Sequence, residues 1–262
     1  MKRTKKFSVR RVLAGSIASI TAATIFFGAH PTLAAPPTAS GTLDLIPIGT
    51  FSGSGGLAAS EIVAFDSTSQ QLFILNGALN RIDIVDIANP ATPTLVRSVD
   101  MGVYGRAVQS VTVGDGIVAA AVDVAPIASS DGRQTPSNGI VVLMDTTGRI
   151  LRTLEVGNLP DHVSFTPDKK TILVAGEGEP ICSLENASTP ALEAEDPTLV
   201  SDPNGTVSLI DVSNGATNAT VTTLDFSAFE KTALLAENVR VFFPGSTAAQ
   251  DLEPEYITTN AA

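Results

Sequence analysis

From residue 61 onward the chain alternates short apolar runs with polar turns. Ile62-Val63-Ala64-Phe65 is followed by a turn at Asp66–Ser69. Gln71–Leu75 is followed by Asn76-Gly77, and Arg81-Ile-Asp-Ile-Val-Asp86 alternates with a period of two. Asn89-Pro90-Ala-Thr-Pro93 then turns the chain into Thr94–Val99. Period-two runs of four to eight residues bounded by Gly, Pro, Asn and Asp predict strands and tight turns. The same four-strand unit returns twice, at 111–156 and at 163–224. Aligning the first strands places Glu61, Gln109, Asp161 and Glu255 at one repeat position.

Units of about 40–50 residues, each four short strands, predict an all-β β-propeller of four-stranded blades, with a β-sandwich as the alternative. Blade 1 covers about 61–100, blade 2 about 108–156 and blade 3 about 161–224; 225–262 holds a short helix near 228–238 and the first strand of a fourth blade at Tyr256–Thr259. Residues 42–51 read as a leading strand, with Pro47 suited to an edge. Three blades and one strand leave an open arc, so the reading expects the N-terminal portion of a longer protein.

The N-terminus alters the charge picture. Lys2, Arg3, Lys5, Lys6, Arg10 and Arg11 precede an apolar run, Val12–Phe27, and small residues up to Ala34. This predicts a signal peptide over 1–34 and a linker over 35–41, hence an exported chain, periplasmic, cell-surface or extracellular. The apolar run is short of the ~20 residues a span needs, so no stable membrane span is expected after cleavage. Without those six cations the chain has 10 Lys and Arg against 27 Asp and Glu, a net charge of −17. A body so acidic repels phosphate backbones, so no nucleic-acid partner is expected. Cys182 is the single cysteine, and His162 the single histidine beyond the signal peptide. That leaves no basis for a His/Cys metal centre and little for a catalytic triad.

The candidate chemistry lies in two acidic turns, Gly176-Glu177-Gly178-Glu179-Pro180 and Asp251-Leu252-Glu253-Pro254-Glu255. In a propeller the start of strand one and the end of strand two share one mouth of the central channel. That geometry gathers Glu61, Asp161, Glu177, Glu179, Glu253 and Glu255 into an acidic rim. Crowded carboxylates repel one another, and a hard cation such as Ca²⁺ offsets this through oxygen ligation. A solvated rim, or turns in which carboxylates cap backbone amides, is the other reading, and both stay open here. Arg106 is the best-placed cation for a substrate phosphate at the same rim.

Gly157-Asn-Leu-Pro-Asp161-His-Val-Ser-Phe165, Gly176-Glu-Gly-Glu-Pro180, Asp251-Leu-Glu-Pro-Glu-Tyr-Ile257 and Val239-Arg-Val-Phe-Phe-Pro-Gly245 resemble the choice-of-anchor I family. These are exported bacterial proteins similar to the mesenchyme-specific cell-surface glycoprotein. The resemblance implies a seven-bladed propeller of the YVTN/WD40-like kind. The exported propeller with an acidic mouth is read as an interaction surface for an envelope or extracellular ligand; the alternative that the resemblance implies is a Ca²⁺-dependent phosphomonoesterase, like the alkaline phosphatases and propeller phytases. Gly176 stands where the family usually has Asn, and the loop after Pro180 departs from its pattern.

Overall fold

In the computed structural model, residues 44–57, 59–128, 134–182, 200–242 and 245–260 are described. The signal-peptide and linker predictions lie outside these residues. All strands belong to the compact unit Ile46–Ala262.

The predicted repeat appears as three four-stranded antiparallel sheets. The first contains β1 (Ser60–Asp66), β2 (Gln71–Asn76), β3 (Arg81–Asp86) and β4 (Thr94–Asp100), in that order. In the second, β5 (Ala107–Gly114) and β6 (Ile117–Asp123) lead through a two-stranded ribbon, β7 (Ile127–Ala128) and β8 (Gln134–Thr135), into β9 (Asn138–Asp145) and β10 (Ile150–Asn158). The third repeats the plan: β11 (Pro160–Phe165), β12 (Thr171–Gly176), a ribbon of β13 (Ile181–Cys182) and β14 (Val200–Ser201), then β15 (Thr206–Asp211) and β16 (Thr220–Asp225). Both ribbons are inserted between the second and third strands of their sheet.

The middle sheet is buried on both faces, and its sequence says so. Successive side chains of a strand point to opposite faces. Ala119, Ala121, Val141 and Leu143 enter the core shared with the third sheet. Their neighbours Val118, Ala120, Val122, Val142 and Met144 enter the core shared with the first. β6 and β9 are therefore buried at successive positions, whereas in β1, equally apolar at Ile62–Phe65, the exposure alternates. On the first sheet, Phe73, Leu75, Ile82 and Ile84 face the middle sheet, whereas Val63 and Phe65 remain 58% and 54% exposed.

The first strands lie side by side, β1 against β5 and β5 against β11. Asn80, in the turn after β2, donates from Nδ2 to the Gly105 carbonyl at 3.1 Å and accepts from the Val108 N–H at 2.8 Å. The Val163 N–H donates to the buried Ser110 hydroxyl at 3.3 Å. These bonds set the three strand starts at one end of the molecule.

Each start carries a bulge. Ser60 pairs with Asn76 and Val63 with Ile74; Val108 pairs with Val122 and Ser110 with Ala121; Pro160 pairs with Gly176 and His162 with Ala175. One extra residue therefore enters each first strand, at Glu61-Ile62, at Gln109 and at Asp161. A bulge re-aims a side chain without disturbing the rest of the ladder. At the opposite end, Asp86, Asp145 and Asp211 each close a third strand. Their Oδ1 atoms accept from the N–H two residues on, at 2.7, 3.0 and 2.8 Å. Such side-chain turns are local substitutes for a backbone turn.

Three expected elements differ. Residues 44–51 carry no ladder: Pro47 has no N–H to give, and Leu45, Ile46 and Ile48 are exposed. Residues 256–259 are likewise unpaired with any strand. The helix is shorter than 228–238, running Lys231–Ala236 (α1), because Asn238 adopts a left-handed φ of 62° and ends it. A further turn of helix, α2 (Ala248–Asp251), starts at a reciprocal cap between Thr247 and Gln250, the Thr-x-x-Gln signature.

Leu143 is fully buried between the second and third sheets. Leu143→Ala is expected to lower unfolding stability by about 2–5 kcal/mol, and Val63→Ala by no more than about 0.5 kcal/mol; urea denaturation followed by circular dichroism measures both.

Candidate functional site: an acidic rim on the third sheet

Three stretches of chain meet at the start of the third sheet. The bulge at the head of β11 presents Asp161. The turn after β12 presents Glu177 and Glu179. Its backbone is tied down where the Glu177 N–H donates to the Leu159 carbonyl at 2.9 Å. Gly178 has φ of +71° and lies so near the Asn204 carbonyl that a Cβ would stand 2.6 Å from its oxygen, so the turn requires glycine there.

The third stretch, 252–257, is drawn in by Gly205 and His162. The Gly205 N–H donates to the Ala249 carbonyl at 2.8 Å, and the Leu252 carbonyl passes where a Gly205 side chain would begin. The His162 ring stacks on Tyr256 with centroids 4.5 Å apart, and its Nδ1 accepts from the Ile257 N–H at 3.4 Å. Glu253 and Glu255 are thereby brought to Asp161 and Glu177.

The electrostatics record the crowding. Glu177 is pushed from 4.5 up to about 7, first by burial and then by Glu179, Asp161, Glu255 and Glu253. Burial and Glu255 raise Asp161, against a lowering pull from His162. Glu253 is raised by burial, then by Asp202, Asp251, Glu179 and Glu255. Burial lowers His162, although Asp161 opposes it. No Lys or Arg figures among the charges acting on Asp161, Glu177 or Glu253.

Five of the six expected rim carboxylates are therefore brought together: Asp161, Glu177, Glu179, Glu253 and Glu255. Glu61 stands apart, on the first sheet, with its carboxyl beside Gly77. Arg106 pairs with the buried Asp123 at the equivalent end of the second sheet, and its N–H donates to the Asp123 carbonyl at 2.8 Å. Asp202 and Asp251 extend the acidic group and were not among the expected residues. Asp251 stands in the quoted motif, but Asp202 sits in an unremarkable Ser-Asp-Pro loop with no signal to mark it. Among the described residues, no three His, Cys, Asp or Glu side chains are grouped so as to hold a metal ion. The rim is crowded but is not a closed coordination shell.

These features define a repeat protein of four-stranded antiparallel sheets with an acidic group at one end of its third repeat. The choice-of-anchor I domain matches residues 61–262, and the chain belongs to that family. No curated protein matches the chain. Among solved structures, a luciferin-regenerating enzyme is 15% identical with a TM-score of 0.36, over 57% of this chain and 44% of its own. The Kuenenia stuttgartiensis hydrazine synthase is 18% identical with a TM-score of 0.28, over 63% and 53%. A complex of KlAtg21 with the coiled-coil of AgAtg16 is 10% identical with a TM-score of 0.38, over 63% and 41%. The chain thus spans less than two thirds of each of these proteins, and likenesses this slight carry no conclusion about function.

Glu177 provides a pH test. Its carboxyl binds a proton more tightly in the folded chain than in the unfolded one. Stability from this group is therefore highest below about pH 4.5 and falls as pH rises towards 7. Glu177→Gln should stabilise the protein at pH 8 by on the order of 1 kcal/mol, after allowance for solvent screening at this partly exposed site. It should give no gain at pH 4. Chemical denaturation at both pH values measures the difference.

Proposed function

We propose that this chain forms part of an exported β-propeller whose acidic rim is an interaction surface at the cell envelope and gathers Ca²⁺. Membership of the choice-of-anchor I family supports export or surface display. No described helix is long and apolar enough to cross a membrane. The propeller reading is supported by the serial face-to-face packing of the sheets, with first strands adjacent, which is how blades pack around an axis. The seven blades implied by the family resemblance belong to the same proposal.

The observation that carries the functional reading is the convergence of carboxylates from three separate stretches on Glu177, whose own carboxyl is pushed up to about 7 first by burial and then by their charge. Such crowding costs stability unless cations or a partner's positive groups offset it. Ca²⁺ accepts six to eight oxygen ligands in flexible geometry and tolerates water among them. It therefore suits an open rim that supplies only part of a shell. Asp161, Glu177, Glu179, Glu253 and Glu255 are the residues proposed to hold it, the remaining ligands coming from water or from the bound partner. No observation favours phosphomonoester hydrolysis, since Arg106, the residue considered for phosphate, is already paired with Asp123.

Calorimetric titration with Ca²⁺ at physiological salt should give saturable heat. Millimolar Ca²⁺ should also raise the melting temperature by about 2–4 °C, and Glu177→Gln should diminish both responses. Absence of heat and of any thermal shift in the unaltered chain would defeat the reading.

A further inference from the structure

The first sheet has a second covered face. Ile82 and Ile84 of β3 point into the core shared with the middle sheet, so Asp83 and Val85 point the other way. Both are nonetheless buried, Asp83 to 2% exposure and Val85 completely, outside the cores between the sheets. Residues 49–55 run along β3 on that side. Gly49 meets the Pro90 carbonyl, beyond the end of β3, so closely that no Cβ would fit. Ser54 meets Arg81, the first residue of β3: Arg81 Nη2 donates to Ser54 Oγ at 2.6 Å. Asn76 Nδ2 donates to the Ser54 carbonyl at 2.7 Å. Between these ends, a Cβ on Gly53 would stand 4.0 Å from Asp83 Oδ2. Five extended steps of about 3.3 Å from Gly49 to Ser54 match the length of the six-residue β3.

This segment makes no ladder. Among the described residues, its hydrogen bonds to the sheet are the two at Ser54, and both donors are fixed from beneath. Asp83 accepts Arg81 Nε at 2.8 Å, Asn76 Nδ2 at 3.0 Å and the Ser98 hydroxyl at 2.5 Å. All three partners belong to the first sheet, so the Asp83 charge stays compensated with or without the segment above it. The chain can turn where the segment leaves the sheet. Gly55 and Gly56 have φ of +119° and +85°, a conformation that favours glycine. A Cβ on Gly56 would meet nothing, and Leu57 is fully exposed.

We propose that residues 49–55 are a strap that opens as a unit about Gly55–Gly56, with Ser54 as its catch, while the sheets stay folded. A segment exposed at every residue but Phe51 and held by two hydrogen bonds opens at far lower free energy than a doubly buried sheet. Opening bares Val85, which the register places in one row with Leu72 and Phe65. It thereby joins Val85 to apolar surface already exposed at Phe65 and Val63. The strap sets how much apolar surface the first sheet presents. It involves the first sheet alone and is independent of the rim.

The test is thiol labelling of the full chain, in a Cys182→Ser background so that one introduced cysteine reports. Val85→Cys probes the space under the strap. Val118→Cys, buried between the first and second sheets, probes opening of the sheets themselves. Val85→Cys should be labelled at least about a hundredfold faster than Val118→Cys. Adding Ser54→Ala removes a hydrogen bond from a charged donor and should quicken labelling of Val85→Cys about tenfold. It should leave Val118→Cys within about twofold. Without any introduced cysteine, Ser54→Ala should raise the fluorescence of an apolar-surface dye such as ANS without lowering the melting temperature, which keeps the proposal testable if a cysteine variant folds poorly. Equal labelling rates at the two positions overturn the proposal. So does a Ser54→Ala effect of the same size at both positions, or one that changes neither labelling nor dye binding.

Discussion

Everything in this molecule depends on the double burial of its middle sheet. A four-stranded sheet cannot stand alone in water with an apolar face exposed. Here Leu143 and Met144, adjacent in sequence, complete two different cores. The first and third sheets are held by what they lend to the second. The bonds Asn80–Val108 and Val163–Ser110 then determine how the sheets are aligned end to end. Without that alignment, carboxylates on separate stretches would have no reason to meet.

The acidic rim is a by-product of that stacking, sharpened by local devices. Gly178 and Gly205 contribute by having no side chain, which lets the backbones of 177–179, 204–205 and 252–254 crowd together. His162 contributes a ring and one acceptor, and so anchors Tyr256 and Ile257 beside the sheet. Burial raises Glu177, Asp161 and Glu253, and the neighbouring carboxylates raise them further, so each carboxyl is tuned in part by chain distant from it in sequence.

Much of the fold was legible because strand period and turn chemistry are local signals. The apolar runs of β6 and β9 and the alternation of Arg81–Asp86 located the sheets directly. The ribbons pairing 127–128 with 134–135 and 181–182 with 200–201 escaped notice because two paired residues carry no period. Residues 44–51 and 256–259 have strand-like composition, but pairing is decided by a partner and not by propensity. The two acidic motifs were dense enough to stand out, whereas Asp202 joins them only through tertiary contact. Arg106 read as a cation for phosphate because its counter-ion is Asp123, 17 residues away, and only the register of β5 against β6 brings them together.

The repeated bulges have an evolutionary consequence. In a regular strand, inserting or deleting a residue reverses the face of everything beyond it. At the heads of β1, β5 and β11 that extra residue is already absorbed, so Glu61, Gln109 and Asp161 lie outside the inside–outside alternation that the cores enforce. Those positions can drift in chemical character while the sheets behind them stay fixed. One end of the molecule is thereby free to acquire new binding preferences, repeat by repeat, without renegotiating the fold.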